Sequence, residues 1–232
     1  MSFKERIYNY FKRKALPSDA KIYFSQLGED ILVRDILKWL NIDDPSYLDI
    51  GAYHPSLLSN TYLLYLSGHT VVCIEPDPIS YERFKRHRNR DLTLNIGIGR
   101  NTGKMPFYVM KNKTLNTFSK EEAEFNRTLN RSTIEQIIEI EIFSINDIIA
   151  RYFTRTPHFI SIDVEGLQEE IIHSLDFAKY APEVICIETK DESHNKIAEI
   201  FTFMESKGYF SCADTFINTI FVNKQSWESR QK

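Results

Sequence analysis

Between residues 45 and 100, short apolar runs alternate with longer stretches whose apolar residues recur at helical spacing. The runs "SYLDIG", "TVVCIEP" and "LTLNIGIG" have the length and composition of strands covered on both faces of a sheet. Between them, 57–66 predicts a helix ending near Gly68, and 78–89 predicts a basic helix opened by Pro78. Ahead of them, 25–40 has apolar residues at 27, 31, 32, 36, 37 and 40. That spacing predicts a helix with Ser25 as its N-cap and Glu29 or Asp30 in its first turn. A βαβαβ run of this kind is the signature of a parallel sheet wound with helices.

The rhythm breaks at Gly103. "MPFYVM" and "IIEIEIF" alternate as strands do, and the polar stretch "NKTLNTFSKEEAEFNRTLNRST" between them holds no proline or glycine. We read about 103–143 as an insertion, sited where a lid or substrate loop would stand, with a surface insertion lacking a role as the alternative. The wound pattern resumes with the strand "HFISIDVEG", a helix over 167–175, the strand "EVICIE" and a helix over 195–207. "YFSCA" and "FINTIFVN" are joined by a short connection, which predicts that they pair antiparallel.

Length adds one domain to this picture: 232 residues suit a single core over 21–232, preceded by a segment at 1–20. In that segment Phe3, Ile7, Tyr10, Phe11 and Lys14 fall at helical spacing, and Lys4, Arg6, Lys12 and Arg13 add positive charge. Such a basic amphipathic helix either makes weak contact with an anionic membrane surface or packs on the domain. No run is long enough to span a bilayer and no signal-like apolar region opens the chain, so a cytoplasmic protein is expected. A net charge of −3 argues against a nucleic-acid partner. Cys73, Cys186 and Cys212 are odd in number and sit in apolar, strand-like runs, which predicts buried free thiols.

The chemistry belongs at the carboxyl ends of the parallel strands, where an open wound sheet leaves its crevice. The strands there end in Asp49-Ile-Gly51, Glu75-Pro76, Asp163-Val-Glu165-Gly166 and Glu188. Glu75, 26 residues on from Asp49, is placed to accept both hydroxyls of a ribose. The first turn has one glycine in place of G-x-G-x-x-G, so no pyrophosphate need approach it. Asp49 would repel a phosphate yet could accept from an ammonium group or from the N–H of a well-placed donor. S-adenosylmethionine has these groups: an adenosine, no phosphate, and a cationic amino-acid tail. Two other classes compete with this reading. The missing glycines count against a nicotinamide-dependent oxidoreductase, and acids at three strand ends count against a non-catalytic binding module with the same fold.

The stretches "FSQLGEDILV", "LDIGAYHPSLLSNTYLLYLSGHTVVCIEPDP", "LNTFSKEEAEF" and "ISIDVEGLQEEII" resemble, in this order, the FkbM-type S-adenosylmethionine-dependent methyltransferases. The resemblance covers 25–188, and I-E-P-D-P and I-D-V-E-G-x-x-E are its most specific pieces. It implies a Rossmann-like class I methyltransferase, an α/β fold with a seven-stranded, mostly parallel sheet, an antiparallel last strand and helices on both faces. It also implies methyl transfer, commonly to a hydroxyl of a sugar, glycan or secondary metabolite. By position it implies a cofactor turn of Asp49, Gly51, Ala52 and Tyr53, a ribose site at Glu75 and Pro76, and Asp163 beside the transferring methyl. Gln26 and Asp30, four apart on one helix face, either close over the cofactor's tail or cap the helix. The turn departs from the commoner family form, which has Asn near Tyr53 and Gly at Pro55, so its backbone path is expected to differ.

An alcohol acceptor needs a base. Asp163 is the first candidate, with Glu165 beside it, because residues two apart in an extended segment point to one side. His54 is the third catalytic candidate, against the plainer reading of a histidine bonded to backbone. Asp163 and Glu188 could together hold Mg²⁺, or there is no metal and these acids only bond cofactor and substrate. The basic run "YERFKRHRNR" either meets an anionic acceptor or is simply solvated.

Overall fold

Strands that carry no polar face must be covered on both sides, and the four-residue apolar runs of this chain are fully buried at its centre. The structure is a computed structural model that describes residues 20–190 and 196–230. The basic helix expected over 1–20 therefore lies outside the described residues, Ala20 apart, as does Asn195, where a later helix was expected to start.

In chain order the elements are α1 (Glu29–Trp39), β1 (Tyr47–Ile50), α2 (Tyr62–Leu66), β2 (Val71–Ile74), α3 (Pro78–His87), β3 (Leu92–Leu94) and β4 (Gly97–Ile98). Residues 103–143, read above as an insertion, supply β5 (Gly103–Met110), a single 3₁₀ turn (Lys113–Leu115), α4 (Lys120–Thr128) and β6 (Ile134–Phe143). There follow α5 (Ile145–Tyr152), β7 (Phe159–Ile162), α6 (Gln168–Ser174), β8 (Val184–Glu188), α7 (Ala198–Ser206), β9 (Tyr209–Asp214), β10 (Asn218–Asn223) and α8 (Lys224–Ser229).

Seven strands form the main sheet in the order β3-β2-β1-β7-β8-β10-β9. β10 runs antiparallel to both of its neighbours, and the other pairings are parallel. The chain winds outward from β1 in one direction and, from β7, in the other. The crevice of the sheet therefore opens beyond the carboxyl ends of β1 and β7. Alternate residues feed two cores. Leu48, Ile50, Ile160 and Ile162 pack with α5, α6 and α7, while Tyr47, Cys73 and Phe159 pack with α1, α2 and α3.

Several boundaries differ from the sequence expectation. The helix expected over 57–66 is only α2, because 51–61 is irregular: Leu58 stands at φ 54°, and the Ser59 hydroxyl accepts from Tyr62 N–H at 3.1 Å. "LTLNIGIG" divides, β3 remaining in the main sheet and β4 joining a second sheet of order β4-β6-β5. Helix α1 begins at Glu29 instead of Ser25, whose hydroxyl accepts from the N–H groups of Gly28 and Asp30 one turn earlier. Helix α5 was not foreseen, although Ser144 accepts from Asp147 N–H as its cap. The three cysteines are free, Cys73 and Cys186 buried and Cys212 partly so. Among the described residues no helix is long and apolar enough to cross a membrane.

Candidate active site

Gly51 follows β1 at φ +80°, where a Cβ would lie 1.7 Å from the Asp163 carbonyl oxygen. The backbones leaving β1 and β7 approach so closely that only glycine fits between them. That contact accounts for the lone glycine of the turn. Gly51 and Ala52 N–H then both donate to Ile74 O at 3.1 Å, and His54 N–H donates to Ala52 O at 2.6 Å. This three-residue bend places Tyr53 at φ 51°. A left-handed backbone costs a residue other than glycine about 1–2 kcal/mol, and Asn tolerates it better than Tyr, which explains the commoner Asn in the resembling family.

A cavity of about 290 Å³ opens at this corner. Its floor is made by Ile50, Gly51, Ile74, Glu75, Pro76 and the run 163–165. The insertion closes the other side with Phe107, 113–116 and Phe118, while Gln26, Tyr53 and Leu58 stand at its edge. The Phe107 and Phe118 rings lie 4.7 Å apart, and Phe118 packs on Gly97, where a Cβ would stand 2.4 Å from the ring. Asn116 is held by accepting from Met110 N–H at 2.8 Å.

Glu75 is 4% exposed, and its carboxyl accepts N–H bonds from Asp77, at 2.8 Å, and from Tyr53. It thus joins the bend after β1 to the bend after β2. Asn95 fixes the second bend by donating its amide to Glu75 O at 2.9 Å and to Pro76 O at 2.8 Å. Burial pushes the Glu75 carboxyl up to about 8. Asp163 and Glu165 are likewise held above the usual carboxylate range, first by burial and then by neighbouring negative charge: Asp49 and Glu29 for the former, Asp163 and Glu122 for the latter. Burial also raises Glu188, with Asp163 next among its causes.

Of the sequence-predicted residues, the structure brings Gln26, Gly51, Tyr53, Glu75, Pro76, Asp163 and Glu165 to one cavity. Glu165 does so from a left-handed backbone at φ 41°, not from an extended segment, with its carbonyl held by the Thr117 hydroxyl at 2.7 Å. Asp49 requires a correction. Its carboxylate is turned away from the cavity and accepts from the Thr61 hydroxyl at 2.5 Å. The fully buried Arg88 donates to that same hydroxyl oxygen at 3.0 Å and pairs with Asp91 at 2.6 Å. Asp49 is therefore committed to an internal network and not offered to an ammonium group. Ala52 is buried in the core, and Asp30 binds Phe24 N–H and the Ser25 hydroxyl, so the Gln26/Asp30 pair does not close together over a ligand.

His54 and Glu188 do not line this cavity. His54 Nδ1 accepts from Ser56 and Leu57 N–H at 3.2 and 3.0 Å, the backbone-bonded arrangement that was its plainer reading. Among the described residues no group of three or more His, Cys, Asp or Glu side chains is arranged to hold a metal ion, so the Mg²⁺ expectation at Asp163 and Glu188 finds no support. Phe107, Asn116 and Phe118 were missed, since their place depends on how the insertion folds back. The only sequence signal for the last two was the resembling stretch "LNTFSKEEAEF".

The donor set fits an adenosine carrying a cationic tail. Apolar walls at Ile50, Ile74, Ile98, Phe107 and Phe118 suit a purine, Glu75 suits a diol, and the 163–165 carboxyls suit positive charge.

The chain matches the methyltransferase FkbM domain over residues 49–211. No curated protein matches it. Among solved structures it is similar to the METTL16 MTase domain, with a TM-score of 0.50 and 9% identity over 97% of this chain and 82% of that one. It is also similar to an O-methyltransferase from Bacillus cereus in complex with SAH, with a TM-score of 0.44 and 13% identity over 94% and 87% of the two chains. A precorrin-6y C5,15-methyltransferase from Geobacter metallireducens follows at a TM-score of 0.43 and 14% identity over 83% and 88%.

Proposed function

The chain belongs to the FkbM family of S-adenosylmethionine-dependent methyltransferases, and from that premise we propose that it methylates a hydroxyl of a sugar, glycan or secondary metabolite. One observation carries the choice of oxygen. Two carboxyls, Asp163 and Glu165, line the same cavity as Glu75, and both are raised above the ordinary carboxylate range by burial. An alcohol must lose its proton as it attacks, and a carboxylate of raised basicity is suited to take it. Family membership sets aside the nicotinamide reading.

S-adenosylmethionine, when bound, supplies an electrophilic methyl group. In this proposal Glu75 accepts the ribose hydroxyls, Phe107 and Phe118 exclude water, and Pro76, Gly51 and Tyr53 shape the wall. Gln26 stands at the edge toward the amino-acid tail. Asp163 takes the acceptor's proton. Glu165, held by Thr117 and next to Asp163, orients the acceptor hydroxyl. Asp49 and Ala52 support the turn from behind, and His54 takes no part in the transfer.

The test is incubation of the protein and isotope-labelled S-adenosylmethionine with extracts of its own host, followed by mass spectrometry and NMR of the labelled product. A labelled methyl ether supports the proposal. A methyl group on carbon or nitrogen contradicts the choice of oxygen.

A further inference from the structure

A second pocket, of about 380 Å³, lies on the other side of the cofactor turn. His54 and Pro55 of the turn face Ile79, Arg83, Arg86 and His87 of α3. Those four helical positions share one face of α3, spaced by four, three and one residues. Tyr53 lines the first cavity and His54 the second, so adjacent residues of one turn separate the two.

The charge in this pocket is of one sign. Among the described residues no carboxylate lines it, and neither Arg83 nor Arg86 has an acidic partner. The one acid in the middle of the helix, Glu82, pairs instead with Lys85 at 3.3 Å. The histidines are fixed by their partners. His54 Nδ1 accepts two backbone N–H bonds, which hold the ring against its own turn. His87 Nδ1 lies 2.8 Å from the Arg83 carbonyl, which can only accept, so that nitrogen carries a proton. The helix dipole alone accounts for basic residues in a last turn. It does not account for their facing a concavity that His54 closes from another segment.

We propose that this pocket is an anion site that takes a phosphate group, as inorganic phosphate or as a phosphate monoester. Guanidinium forks match phosphate oxygens in pairs, and Pro55 and Ile79 give the pocket an apolar side. The site goes beyond the methyl-transfer reading and does not depend on it.

The test is calorimetric titration of the full chain at constant ionic strength with inorganic phosphate and with glucose 6-phosphate, each with and without S-adenosylhomocysteine. Saturable binding of phosphate, unchanged by S-adenosylhomocysteine, is expected. The Arg83→Gln/Arg86→Gln double variant should weaken it by about ten-fold or more, while S-adenosylhomocysteine affinity stays within about two-fold. Arg86→Glu, on an exposed side chain that folding does not require, should abolish it alone. Tighter binding of the sugar phosphate identifies an ester as occupant, and tighter binding of inorganic phosphate identifies the free anion. Absence of saturable binding, equal binding by the variants, or competition with S-adenosylhomocysteine would overturn the proposal.

Discussion

Gly51 and the carbonyl of Asp163 are in contact across the gap between β1 and β7, with no space for a Cβ between them. The contact sets the distance between the cofactor turn and the carboxyls beside it. Gly51→Ala meets both a backbone atom and an unfavourable φ, so it should destabilise the protein by about 3 kcal/mol or more. Urea unfolding measures the loss, and S-adenosylhomocysteine affinity should fall with it.

Arg88 is the fully buried charge behind the turn. Arg88→Leu leaves Asp91 without its ion pair and Asp49 without the nearby positive charge, which should cost about 3–5 kcal/mol in denaturant unfolding. Asp49→Asn keeps an acceptor for the Thr61 hydroxyl and should cost only about 1–2 kcal/mol. If Asp49 faced the ligand's amine instead, Asp49→Asn would weaken cofactor binding while leaving stability unchanged.

Glu75 makes cofactor affinity depend on pH. Its carboxyl is pushed up to about 8 by burial, so below that pH it is largely protonated in the free protein. Ribose hydroxyls donate to the ionised form, and binding therefore expels a proton. S-adenosylhomocysteine affinity should rise with pH from 6 to 8, by up to about ten-fold per unit, and level off above about 8. In Glu75→Gln the slope should vanish.

Asp163 is assigned to the proton, not to the cofactor. Asp163→Asn should lower turnover by about a hundred-fold or more while changing S-adenosylhomocysteine affinity by only a few-fold, as measured by single-turnover kinetics beside calorimetry. In the wild type, turnover should fall as pH drops through the raised range of the Asp163 carboxyl, because the protonated form cannot accept a proton.

The strands of the main sheet were legible because runs such as "TVVCIEP" are apolar on both faces. Glu75, Asp163 and Glu165 were legible as acids where those runs stop. Asp49 was legible as a position but not in its role. The charge that faces it, Arg88, stands just past the end of a helix, 39 residues later, and strand alternation turns the carboxylate toward that side of the sheet and away from the crevice. The place of His54 depends on the left-handed Tyr53 before it, which a sequence without glycine there does not announce. The aromatic wall at Phe107 and Phe118 exists only because the insertion pairs β6 with β4, a long-range contact that local patterning does not encode. Helix α5 could have been found, since Ser144-x-x-Asp147 before an apolar run is a capping signature.

The central claim is that S-adenosylmethionine binds in the cavity with its ribose on Glu75. Calorimetric titration of S-adenosylhomocysteine into the wild type and Glu75→Ala tests it most directly. One saturable site in the wild type, weakened about a hundred-fold in the variant with unfolding behaviour preserved, is the predicted result. Equal affinity in the two proteins would contradict it.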